Sequence, residues 1–83
     1  MKNQETTNPE ALKIVDLLFS KYSTILLSKK QTAFITNQSV SSLDRDRKQG
    51  IGIEYIQETE TSNVYYSIYS LAEYLVNSKV KTQ

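Results

Sequence analysis

From Ala11 to Tyr22 apolar residues recur at three- and four-residue intervals: Ala11, Leu12, Ile14, Val15, Leu18, Phe19 and Tyr22. At about 100° per residue these fill one arc of a helix. Glu10, Lys13, Asp16, Ser20 and Lys21 fill the rest, and only Leu17 strays. Asn8 can cap this helix, Pro9 suits the first helical position, and Glu10 complements the positive end of the dipole. The pattern predicts an N-terminal amphipathic helix over 9–26, preceded by a disordered tail over 1–8.

The next stretch is punctuated by caps. Ser28 with Gln31 three residues on is a capping box, so a short helix runs to Thr36. Asn37-Gln38 breaks it, because Asn tolerates the left-handed backbone of a tight turn. Ser39 caps a third helix, Val40 to Gln49, and Gly50 closes it. Two short helices joined by about three residues give the helix-turn-helix outline.

After Gly52 the period changes. Residues 54–58 and 63–67 are rich in β formers, and the polar run 59–63 separates them. An antiparallel hairpin is expected there. Ser70 and Glu73 repeat the capping-box spacing, with Leu71, Tyr74 and Leu75 as the stripe of a closing helix to about Ser78. A short tail, 79–83, follows, where Lys79 and Lys81 suit a helix C-terminus.

Composition narrows the chemistry. Eighty-three residues support one small core, burying roughly 60–65% of the unfolded surface, with no room for a deep catalytic cleft. The chain has no His and no Cys, so the commonest general base and the commonest metal ligands are missing. No phosphate-cradling glycine loop is present, and the acids form no obvious pair. The chain is therefore not expected to be an enzyme, nor to use a cofactor, a metal or a small-molecule substrate. No apolar run is long enough for a membrane span, and residues 1–9 do not read as a secretory signal. A cytoplasmic binding module is the expectation.

Charge is distributed unevenly. The net charge is +1. Residues 29–48 carry five cations and two acids, +3, whereas 49–78 carry four acids and no cation, −4. A basic helix-turn-helix is the footprint that DNA requires.

On the helix from Val40, the apolar positions Val40 and Leu43 set the buried face, and Arg47 falls on it. The opposite ridge carries Ser41, Ser42, Arg45, Lys48 and Gln49, with Asp44 and Asp46 to the sides. Any solvated helix face is polar, but an acid-free ridge suits bases and phosphates: Arg to guanine or phosphate, Gln to adenine, Ser to either. Lys29 and Lys30 open a helix, where positive charge opposes the dipole, which favours a phosphate role. Tyr55, Tyr66 and Tyr74 are expected to pack the core, and Tyr65 to face outward. The wide stripe on the first helix packs on the helix-turn-helix or serves as a dimer face.

Together these segments resemble the small winged helix-turn-helix proteins of the excisionase, AlpA and MerR-like group. The residues that carry the likeness are Leu27 to Ala33, Ser39 to Arg45, Arg47 to Gly50, Tyr55-Ile56, Tyr66, and Leu71 to Leu75. The resemblance implies a mainly α fold with a small β-hairpin: a winged helix-turn-helix over 27–78 with an extra N-terminal helix. It further implies sequence-specific binding of double-stranded DNA, by a small transcriptional regulator or an excisionase-like recombination directionality factor. The second helix of the motif would enter the major groove, with Arg45 as anchor and Lys29, Lys30 and Lys48 on phosphates. A homodimer or a cooperative array would supplement so small a footprint. Three positions depart from the family pattern: Gln38 and Asp46 stand where apolar residues are usual, and the wing tip offers Glu58 and Glu60 in place of Arg or Lys. The alternative is a non-enzymatic protein-interaction adaptor that uses the same fold and its acidic hairpin.

Overall fold

The computed structural model describes residues 8–78, so the expected tails lie outside it except for Asn8. The order is α1 (Pro9–Tyr22), β1 (Leu26–Ser28), α2 (Lys29–Thr36), α3 (Val40–Lys48), β2 (Tyr65–Ser67) and α4 (Ile68–Asn77). The chain is thus mostly helical with a small antiparallel sheet, as expected in outline.

Local chemistry explains most helix ends. The Asn8 side chain accepts from the Glu10 and Ala11 amides at 2.8 and 3.3 Å. At α2 the capping box is complete: Gln31 N donates to Ser28 Oγ at 3.1 Å, and Ser28 N to Gln31 Oε1 at 2.9 Å. Ser39 Oγ accepts from Ser42 N at 3.0 Å to start α3. At the other end of α3, Gly50 adopts φ +75°. Its amide bonds Arg47 O at 3.0 Å, while that of Ile51 bonds Asp46 O at 2.9 Å. This pair of bonds is the Schellman closure that a left-handed glycine permits. Asn37, at φ +58°, closes α2 in the same way, with Gln38 N bonded to Ala33 O at 2.9 Å.

The core forms where α1 packs along α4 and the sheet lies beside α2, which in turn packs on α3. Ala11, Val15 and Leu18 of α1 meet Ile68, Leu71 and Ala72 of α4 within one buried cluster. Leu27 stands opposite Tyr66 across the sheet, and both point inward. Leu43 supplies the buried contact of α3, and Ala33 that of α2. Thr32 is fully buried without cost, because its hydroxyl donates to Ser28 O at 2.9 Å.

Four expectations need correction. The first helix ends at Tyr22 instead of continuing to 26, because Ser23 turns left-handed at φ +56° and 26–28 become a strand. The hairpin over 54–58 and 63–67 reduces to one bridge: Ile56 N donates to Tyr65 O at 2.8 Å, and Tyr65 N to Ile56 O at 3.0 Å. The second strand finds its ladder with β1 instead. Within the tip, the Gln57 side-chain amide donates to Ser62 O at 2.8 Å. The closing helix starts at Ile68, capped by Ser67 and not by a Ser70–Glu73 box; Ser70 N donates to Ser67 Oγ at 3.0 Å. Tyr66 is buried and Tyr74 half-buried, but Tyr55 is exposed, drawn beneath the Arg47 guanidinium at 5.6 Å.

Candidate nucleic-acid interface

Leu43 is the pivot of α3. With its side chain in the core and Val40 half-buried beside it, the helix turns its opposite face to solvent. Ser41, Arg45, Lys48 and Gln49 are exposed there, and Ser42 is half-buried. Arg45 has 66% of its side chain in solvent. Its guanidinium touches only near neighbours on the helix, Ser42 Oγ at 3.3 Å and, weakly, Asp46 Oδ1 at 4.0 Å. Lys48 has no ion pair with any described residue, so three donor-bearing side chains, Arg45, Lys48 and Gln49, crowd one exposed end of the helix.

The acids of α3 lie to the sides of that face, half-buried. Asp44 Oδ1 accepts from Lys29 Nζ and from Arg47 Nη2, each at 3.1 Å. The Arg47 guanidinium, and after it the Lys29 ammonium, holds the Asp44 carboxyl below the ordinary carboxylate range. Asp46 is half-buried, its Cβ close to where Gly52, at φ +87°, passes without a side chain.

Arg47 is the most buried cation of the group. Its side chain is only 17% exposed. Its Nε–H is buried without an acceptor, while Nη2 serves Asp44 and the guanidinium carbon lies over Tyr55. Sequence reasoning placed Arg47 on the buried face but gave it no role. The i, i+3 spacing to Asp44 was the available signal; the cross-helix partner Lys29 had none.

The predicted phosphate residues separate in consequence. Lys29 is held by Asp44, whereas Lys30 points outward at the start of α2 and meets no described acid. Phe34, one turn further along, is 78% exposed on the same outward face. Glu58 and Glu60 are exposed at the tip of the 57–62 loop. On α1, Leu12 and Phe19 lie one heptad apart along an exposed edge, so the wide stripe is only partly covered.

Among the described residues no His, Cys, Asp or Glu group could hold a metal ion, and no helix is long and apolar enough to cross a membrane. The chain matches no family model, no curated protein and no solved structure.

Proposed function

We propose that this chain is a winged helix-turn-helix protein that binds double-stranded DNA in a sequence-specific way, without catalysis or cofactor. The observation that carries the reading is the asymmetry of α3. Its exposed face presents Ser41, Arg45, Lys48 and Gln49 and no exposed acid, while both acids of the helix are half-buried and lie beside cations. An accidental polar surface has no reason to sort its charges this way.

In this reading α3 enters the major groove. Arg45 takes guanine bidentately, Gln49 takes adenine, and Ser41 and Ser42 complete the contact. Lys30 and Lys48 hold backbone phosphates and fix register. Lys29 joins them only as far as its pair with Asp44 allows. The residue 57–62 loop serves as the wing. A second copy, along the exposed Leu12–Phe19 edge or on a neighbouring site, extends the footprint. The biological role that follows is a cytoplasmic regulator or a recombination directionality factor.

Mobility shift with a random duplex tests the reading. Binding at low salt should weaken at moderate salt, as counterion release requires. No shift at either salt would end the DNA reading and favour the adaptor, with Glu58 and Glu60 as its contact.

A further inference from the structure

A cleft of about 340 Å³ opens between the start of α2, Arg47 of α3 and the loop that carries Gln57 and Asn63. Small-molecule sites begin at roughly this size, about 300 Å³. We propose that this cleft binds a phosphate monoester, which it holds without turning it over.

Charge supports that ligand. Lys29, Lys30 and Arg47 line the cleft, and none of the lining residues is acidic. Asp44 neutralises one of these three cations, which leaves two positive charges at the wall. A monoester carries about −1.5 to −2 near neutral pH and matches them; a backbone diester, with one charge, leaves the wall half neutralised. Arg47 also brings to the wall a guanidinium with a single anionic partner, Asp44, where its fork offers more donors.

The opposite wall supplies polar donors and an aromatic side. The Gln57 amide is committed to Ser62 O and Glu60 O, but no described residue hydrogen-bonds the Asn63 side chain. Asn63 is therefore the uncommitted side-chain amide among the lining residues. Tyr65 gives an apolar surface for the organic part of the ligand.

The inference goes beyond the DNA reading and shares with it Lys29, Lys30 and two residues of the wing loop, Gln57 and Ser62. The test is amide NMR of the full chain titrated with phenyl phosphate at constant ionic strength, in the parent, Lys30→Gln, Asn63→Asp and Arg45→Ala. Lys30 and Asn63 are both exposed, so their replacement leaves the fold intact, which the spectra themselves report. Expected are saturable shifts at Lys29, Lys30, Asn63 and Tyr65, with affinity weakened about tenfold in Lys30→Gln and Asn63→Asp and unchanged in Arg45→Ala. Non-saturating shifts, or equal affinity in Asn63→Asp, overturn the proposal. A parallel titration with a short duplex separates the sources of phosphate. If Asn63→Asp weakens duplex binding while phenyl phosphate never saturates, the cleft takes a diester and the monoester assignment falls. If the parent binds phenyl phosphate as expected but no duplex, the DNA reading alone fails.

Discussion

Lys29 and Asp44 lie fifteen residues apart in the chain and 3.1 Å apart in space, so the first residue of α2 is bolted to the middle of α3. Because Asp44 also accepts from Arg47 at 3.1 Å, one carboxylate oxygen sets the docking of the two helices and absorbs charge from two cations. Its position matters as much as its energy. A pair about one-third exposed is worth little in isolation, on the order of 1 kcal/mol or less, but it holds charge that would otherwise face outward.

Asp44→Asn should therefore act in two directions. Stability should fall by about 0.5–1.5 kcal/mol in urea unfolding, as two hydrogen bonds to a charged group are weakened. Non-specific duplex binding should tighten, and its log–log salt slope should steepen by about one, since Lys29 becomes available to a phosphate. An unchanged slope would show that Lys29 stays away from DNA.

The same carboxylate predicts an acid limb. Arg47 and Lys29 depress its pKa in the folded state, so its contribution is fully present above the ordinary carboxylate value, about pH 4. It is lost as pH falls through the lower folded value. Melting temperatures of the parent and Asp44→Asn should differ by a constant amount near neutrality and converge below about pH 4. A gap that persists to lower pH would mean that the carboxylate is not the stabilising element.

Arg45→Ala should cost about 1–3 kcal/mol of specific binding and leave the fold intact, because the side chain is 66% exposed. Competition binding and thermal melting of the same preparation check both halves. Loss of the fold, or an unaltered preferred site, would remove Arg45 as the anchor.

At the wing, Glu58 and Glu60 are exposed where a DNA-facing tip would carry cations. Changing both to Lys should tighten binding and steepen the salt slope by about one to two if the tip runs near phosphate. At about 0.15 M salt the Debye length is only about 8 Å, so a remote tip would leave affinity unchanged and would return the acidic loop to a protein partner.

Gln38 offers a test of the core. Its Oε1 is buried without a partner, and its amide reaches Tyr74 Oη at a long 3.3 Å. Gln38→Leu should raise stability by about 0.5–1.5 kcal/mol, since it removes a desolvated acceptor and gives up one weak bond. Urea unfolding reads this directly; a loss would mean that the Tyr74 contact outweighs the orphaned oxygen.

What the sequence disclosed was decided at short range. Asn8, Ser28 with Gln31, and Ser39 cap the helices they were expected to cap, because each acts within three residues. Leu43, with Val40 beside it, sets the buried face of α3, so the exposed ridge could be read from helical spacing. The strand Leu26–Ser28 was not legible: three residues carry no period, and their partner lies beyond both helices. Residues 54–58 have strand propensity, yet they keep one bridge, Ile56 to Tyr65, while β2 takes its ladder from the distant β1. Ser67 and Ser70 competed for one cap, and the strand register at Tyr66 decided it in favour of Ser67. The Lys29–Asp44 pair is equally non-local, and so the restraint on Lys29 was hidden.

The three-residue ladder of β1 with β2 closes a loop that contains all of α2 and α3. Whatever the outer face of α3 touches, its orientation is borrowed from this latch. Closing so long a loop carries an entropic cost that grows with its length, and few backbone bonds offset it. The meeting of Leu27 and Tyr66 must therefore hold the α2–α3 pair in place from behind. Damage at Leu27, far from the exposed ridge, would leave every residue of that ridge present but no longer aimed, and in a selection for altered specificity it would pass for a mutation at the contact surface.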